Sequence, residues 1–407
     1  MGLSNVQLLL VVNFLSSLSC GIVAPSFSLH VMMHGGNQII LGFLAAFTYI
    51  CTSIGKDVIG LFEHGKKHAI TFAMFVMFLV YFTLVFYDSC WILVTLRLVY
   101  AALANQINPI SKELVTRTEP QDKVISYFNF LDIMKVSGMV VGAISGGYIF
   151  QCNEDFTSNA MFSTVFSLAG LLVLQQMDND DINVHRPESR LASLPFTCYQ
   201  QVKSLGTIDY KDHWDAILLH TAFVTVFTVL FTRFIYLLCY NYKVGSVVVG
   251  YTTAYYHMWL FASSCIVPFV KGLSANKKSM FEHALLLCAV SVVSQYHAPN
   301  YECFLVVMVP LLFTYTLVNS LAEDDVLDLK SDEQVYQAKK TIVVLLNIIV
   351  PIWFGFVCHF FSGRAFKVLS MLPPVVVTYM INQRLTAPSR RRVQEQQEEE
   401  AEGVKED

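Results

Sequence analysis

Long apolar runs recur from one end of this chain to the other, and they leave few folds open to it. An α-helix needs about 20 apolar residues to cross the hydrocarbon core of a bilayer. In those units twelve spans can be read: 5–29, 38–62, 68–87, 90–114, 122–150, 158–176, 213–240, 245–270, 279–297, 302–322, 335–361 and 365–382. Backbone polar groups cannot stay unpaired in hydrocarbon, so each run is expected to close its hydrogen bonds within itself as a helix. Only 14% of the 407 residues are charged, against about 25% in an ordinary soluble domain. The sequence therefore predicts an all-α membrane protein of twelve transmembrane helices.

The distribution of charge orients the spans. Lys66, Lys67, Lys112, Arg117, Lys123, Arg186, Arg190, Lys203, Lys277, Lys278 and the basic tail fall on one side, while Lys243, Arg364 and Lys367 fall on the other. Basic loops stay cytoplasmic, so both termini are expected in the cytoplasm. The start of the chain lacks the basic region of a cleaved signal peptide, and the first span is expected to remain as a helix. Which membrane holds the chain is not encoded.

Two segments echo each other. Asn108-Pro109-Ile110 and Thr118 to Val124 align with Asn319-Ser320-Leu321 and Leu329 to Val335 at a constant offset of 211, which also carries Lys66-Lys67 onto Lys277-Lys278. Gly42-Phe43 resembles Gly250-Tyr251 ahead of the second copy. The layout predicted is two six-helix pseudo-repeats, 1–176 and 212–382. A cytoplasmic linker, 177–211, joins them, and a disordered cytoplasmic tail, 383–407, follows. A path between parallel repeats is a transporter design.

The residues that carry chemistry are few. Arg97 lies inside the fourth span, where a guanidinium costs about 3 kcal/mol and is expected to face protein or water; the alternative is that it snorkels to an interface. Tyr100 and Asn108 share its helical face. The first span has a polar stripe, Asn13, Ser16, Ser17 and Cys20, which either lines an aqueous cavity or bonds across a helix contact; Pro25 then predicts a kink or helix end. In the seventh span Thr221, Thr225, Thr228 and Thr232 share a face, and in the tenth Thr316, Asn319, Ser320 and Glu323 do. Asp132 and Lys135, three apart on one helix, read as an ion pair, with proton coupling through Asp132 as the rival reading. Gly138, Gly142, Gly146 and Gly147 strip side chains from the fifth span and invite a close helix contact.

Enzyme chemistry finds no support. There is no nucleophile–base spacing, no phosphate loop, no His-rich cluster and no CxxC among ten scattered cysteines, so neither a metal nor another cofactor is expected.

The residues resemble the major facilitator superfamily. Gly138-x3-Gly142-x3-Gly146-Gly147 is similar to the fifth-helix glycine motif of its antiporter branches, with Ala143 where a proline is usual. Arg97 stands where the fourth-helix arginine motif falls, and Glu63-His64-Gly65-Lys66-Lys67 resembles a degraded acidic-basic turn after helix two. Ile22 to Pro25 and Ser28 to Val31 resemble, more narrowly, an orphan animal branch related to tetracycline/proton antiporters. The resemblance implies a twelve-helix rocking transporter whose cavity is lined by helices one, four, seven and ten. Tetracycline-type antiporters usually place an acid in helix one, where this chain has Asn13.

The function expected is secondary transport of a small organic solute by alternating access, by a monomer, with a proton as the candidate coupling ion and no nucleic-acid partner. The binding residues expected are Arg97, Asn13, Tyr100, Asn108, Thr225, Thr228 and Asn319. The glycine series would supply the contact across which the halves move. The rival is a transporter-shaped receptor, scaffold or trafficking partner.

Overall fold

The computed structural model describes residues 4–60, 65–153, 155–177, 242–273, 277–323 and 333–360, with isolated helical positions between 221 and 238. Among them every regular element is a helix. These are α1 (Asn5–Met33), α2 (Gln38–Gly60), α3 (Lys66–Leu84), α4 (Cys90–Ala102), α5 (Ile107–Thr118), α6 (Gln121–Asn153) and α7 (Phe156–Gln175), then α8 (Ser246–Leu273), α9 (Lys277–Tyr296), α10 (Tyr301–Glu323) and α11 (Glu333–Phe360). Eight stretches among the described residues are long and apolar enough to cross a membrane. The twelfth predicted span, the linker beyond Met177 and the tail lie outside the described residues, as do His220, Arg233, Glu63 and His64.

Helix starts follow their capping chemistry. At the head of α1, Ser4 Oγ accepts from the Gln7 backbone N–H at 3.3 Å, and the Gln7 side chain accepts from Ser4 N–H at 3.0 Å. This reciprocal pair satisfies two donors that the helix end would otherwise strand. Asp155 caps α7 with a single bond, accepting from Thr157 N–H at 2.9 Å.

Two predicted boundaries differ. Pro25 sits inside α1 without ending it: the helix runs on to Met33. Next to it, the amide of the buried Asn159 lies 3.1 Å from the Ile22 carbonyl and 3.0 Å from Ser26 Oγ and ties this turn to α7. The fourth span, predicted as one helix, is broken by a tight turn at Ala104–Gln106. Pro109 supplies no N–H for the carbonyl four residues back, at Asn105, and its ring crowds that carbonyl, so the chain tightens just upstream. The turn is held by the Gln106 amide, which donates to the Thr52 carbonyl of α2 at 3.0 Å.

The chain divides into two compact units: residues 1–203 with 229–262 and 347–362, and residues 204–228 with 263–346 and 363–407. The first is built around α1, which lies along α6 and α7. A Cβ added at Gly138 would sit 2.5 Å from the Phe14 carbonyl oxygen, and one at Gly142 2.5 Å from that of Leu18. A Cβ at Gly146 would overlap the Ile22 carbonyl, and Gly21 answers from α1, 2.8 Å from the Met139 carbonyl. The two backbones touch through more than two turns. On the other side of α1, Ser163 of α7 donates to the Ser19 carbonyl at 2.9 Å. Apolar side chains of α3, such as Met74, Met77 and Tyr81, complete this core with Leu93, Ile110 and Phe156. Large apolar residues such as Phe75, Phe82, Trp91, Val165 and Leu172 remain on the outside, as a lipid-facing surface requires.

The glycine series serves two contacts. Gly138, Gly142 and Gly146 face α1, within the amino-terminal helices. Gly147 faces α8 instead: its Cβ would meet the Ser246 carbonyl at 2.8 Å, and one at Gly250 would meet the Ala143 carbonyl at 2.5 Å. Tyr148 and Tyr251 close this crossing with a 2.8 Å hydrogen bond between hydroxyls. In the second unit α9 packs on α10, and Lys271 at the end of α8 donates to Ser320 Oγ of α10 at 2.9 Å.

Gly142→Ala is expected to destabilise the protein by about 1–3 kcal/mol, because the added methyl meets backbone that cannot rotate away. Gly272→Ala, whose Cβ would meet nothing within 4 Å, is expected to be neutral or stabilising by about 0.4–1 kcal/mol. Thermal unfolding in one detergent separates the two, and equal behaviour would refute the close α1–α6 packing.

Candidate functional site

Arg97 sits deep in α4, about two turns from the helix start at Cys90. Its guanidinium carbon stands 5.7 Å from the ring centroid of Phe27 on α1 and 5.2 Å from that of Tyr100, one turn further along α4. The side chain is half-buried, and among the described residues no carboxylate pairs with it. Each aromatic face contributes roughly 0.5–2 kcal/mol according to its desolvation. Two faces therefore offset much of the insertion cost of about 3 kcal/mol without neutralising the charge.

Tyr100 is buried beneath this cation. Its ring centroid lies 5.8 Å from that of Tyr81 on α3, and its hydroxyl shares hydrogen bonds with Tyr81 and Cys20. Tyr100 therefore acts as the floor of the arginine site. Phe27 and Tyr81 were not singled out by the sequence, since an aromatic residue on an apolar helix carries no mark of facing a cation.

The polar stripe of α1 turns inward. Asn13 is buried, and its amide donates to the Leu9 carbonyl at 2.9 Å and to Ser111 Oγ of α5 at 2.8 Å. Ser16 donates to the Asn13 carbonyl, and Ser17 packs against Gly138. Of the two readings of this stripe, a helix contact is the one observed. At this contact Asn13 Oδ1, and Asn108 Nδ2 one turn before Ser111 on α5, are buried without a hydrogen-bond partner among the described residues.

In the second unit, Thr225 donates its hydroxyl proton back to the Thr221 carbonyl at 2.8 Å, leaving only its lone pairs free to act. Thr228 is one turn on and half-buried. Asn319 bonds the hydroxyl of Tyr315, one turn earlier on α10, and the Tyr315 ring lies 4.4 Å from that of Phe227. Tyr315 is a further residue that the sequence did not mark.

The carboxylates are placed differently from expectation. Asp132 pairs with Lys112 of α5 at 2.7 Å, while Lys135, its expected partner, is exposed. A neighbouring helix offers an ammonium at closer range than the same helix can. Lys66, nearly fully buried, pairs with Glu113 at 2.9 Å, and Glu113 also takes Arg117 at 2.6 Å. Lys67 donates to the Met177 carbonyl. The altered turn after α2 thus still makes a charged link from the start of α3 to α5.

Residues 9–332 match the family profile of the Major Facilitator Superfamily, and the chain belongs to that superfamily. Its fold is similar to that of the nucleoside transporter NupG, with TM-score 0.68 at 10% identity over 94% of this chain and 99% of that one. It also resembles a D-xylose-proton symporter, TM-score 0.63 at 13% identity over 92% and 96% of the two chains. A third likeness is to the human organic anion transporter MFSD10 (TETRAN), TM-score 0.58 at 10% identity over 92% and 98%. No curated protein sequence matches the chain.

Glu113→Gln strands the buried Lys66 ammonium and is expected to cost about 1–3 kcal/mol. Lys66→Met in the same background should recover most of that loss, because the orphaned charge is then gone. A double-mutant cycle of thermal stability reads the coupling; additive losses would mean that the ion pair contributes nothing.

Proposed function

We propose that this protein is a secondary transporter that moves a small organic solute by alternating access, and that Arg97 recognises an anionic group on the solute. The observation that carries the proposal is the guanidinium held between Phe27 and Tyr100 with no carboxylate beside it among the described residues. A cation kept at lipid depth without a protein counter-charge is a functional feature by default. The orphaned amide atoms of Asn13 and Asn108 add polar capacity of the kind that a solute or water satisfies. Among the proteins of similar fold, one is named for organic anions, one for nucleosides and one for xylose. That breadth supports solute transport without selecting the solute.

In this reading the halves 1–176 and 212–382 rock about the linker 177–211, both termini face the cytoplasm, and the monomer is the working unit. The Gly147–Gly250 crossing is the contact across which they move, while the Gly138–Gly146 face stays closed within one half. Thr225, Thr228 and Asn319 contribute the second wall of the path. Proton coupling through Asp132 would require its contact with Lys112 to open during the cycle. The motifs of α1 favour the orphan branch of major facilitator superfamily domain-containing protein nine. A receptor or scaffold role has no observation of its own in its favour.

The test is uptake by the purified protein in liposomes, with a panel of labelled anionic, neutral and cationic solutes. For an anionic solute, Arg97→Ala is expected to lower uptake by about tenfold or more, equivalent to about 1.4 kcal/mol, and Arg97→Lys to retain part of it. A folded Arg97→Ala protein that transports as the parent does would overturn the assignment.

A further inference from the structure

At the end of the bundle opposite the amino terminus, three helix ends bring together side chains that the transport reading does not use. His30 lies in the last turn of α1, His34 follows at its C-cap, and Asp88 stands in the turn between α3 and α4. One donor atom from each lies within 4.8 Å of the other two. We propose that His30, His34 and Asp88 form a binding site for a single divalent transition-metal ion, of the zinc class.

The chemistry of the donor set is that of such an ion. Two imidazole nitrogens and one carboxylate oxygen suit zinc and its neighbours in the first transition row, while magnesium and calcium prefer oxygen alone. His30 Nε2 and Asp88 Oδ1 are 3.2 Å apart. Donors around tetrahedral zinc, bound at about 2.0–2.1 Å, are separated by roughly 3.3 Å, so this pair already spans one edge of the polyhedron. His34 is exposed, and its donor atom, within 4.8 Å of the other two, must move closer to both to complete the set.

The supporting contacts orient the rings as metal-binding histidines are oriented. His34 Nδ1 donates to the His30 carbonyl at 3.0 Å, which leaves the Nε2 lone pair free to ligate. The His30 ring is buried and stacked on Phe156, centroids 4.2 Å apart and nearly parallel, so its donor atom is fixed in direction. The two imidazoles sit 4.2 Å apart, a placement that a shared cation stabilises and two protons would not. Asp155 adds a second negative charge near His30. Three protein ligands would leave a fourth position for water, and two of them, His34 and Asp88, line an open surface pocket with Gly35, Ile40 and Trp91.

The His30-x3-His34 spacing is visible in the sequence, but the third ligand arrives from 54 residues beyond the second, so only the fold assembles the set. The test of this site does not depend on transport. Purified, tag-free full-length protein is titrated with zinc chloride, with bound metal measured by equilibrium dialysis and thermal unfolding followed in parallel. The expected result is one zinc per chain and a rise in unfolding temperature that magnesium does not reproduce. His34→Ala and Asp88→Asn, both at exposed positions, should each weaken zinc binding by at least about tenfold. His34→Cys, which keeps a zinc donor, should retain it. Zinc binding unchanged in folded His34→Ala and Asp88→Asn, or a parent that binds no zinc, would overturn the site and leave His30–Asp88 as an ion pair only.

Discussion

The contact between α1 and α6 is the constraint on which the amino-terminal helices depend. Carbonyls of Phe14, Leu18 and Ile22 occupy the space where side chains of residues 138, 142 and 146 would stand. Lipid tails are as apolar as leucine, so the gain from pressing helices together comes from close van der Waals contact and paired polar groups. Glycine permits the first, and Asn159 supplies the second, its amide lying 3.1 Å from both the Ile22 and Gly146 carbonyls. With α1 so fixed, its remaining faces are determined. Ser19 meets α7, Asn13 meets Ser111 of α5, and Phe27 is turned toward Arg97.

The arginine site then follows from the packing. An unshielded guanidinium at this depth would cost about 3 kcal/mol, and a carboxylate partner would neutralise it. Phe27 and Tyr100 reduce the cost without cancelling the charge. Tyr81 and Cys20 hold the Tyr100 hydroxyl, so the aromatic floor cannot swing away. A cation stabilised in this way keeps its capacity to bind an anion. The ion pairs of the described residues lie elsewhere, at Lys66–Glu113–Arg117, Lys112–Asp132 and His30–Asp88.

Much of this is legible in the sequence, and the parts that are not share a cause. Apolar length marks the spans, the four-residue glycine spacing marks a close contact, and a lone arginine in an apolar run marks a charge that its neighbours must shield. Periodicity reports which residues share a face of one helix, and it is silent on which helix that face meets. Hence the first-span stripe reads equally as cavity or contact until Ser111 is seen against Asn13. Hence also the spacing pairs Asp132 with Lys135 on its own helix, although Lys112 is nearer in space. The break before α5 is encoded in Pro109, but its effect falls several residues upstream, where the apolar pattern continues unbroken. Tyr81, Phe27 and Tyr315 carry no sequence signal, because a buried aromatic residue is ordinary until a cation or an amide is found beside it.

Recognition of a solute by Arg97 requires that its position face water within the bundle. Cysteine accessibility measures this directly: Arg97→Cys is reacted, in sealed proteoliposomes, with a charged, membrane-impermeant methanethiosulfonate, against the parent as background. Modification at the rate of an aqueous thiol, and protection by a transported anionic solute, are the expected results. A thiol that ignores the charged reagent and yields only to a lipid-soluble maleimide would place that side chain against acyl chains and contradict the account.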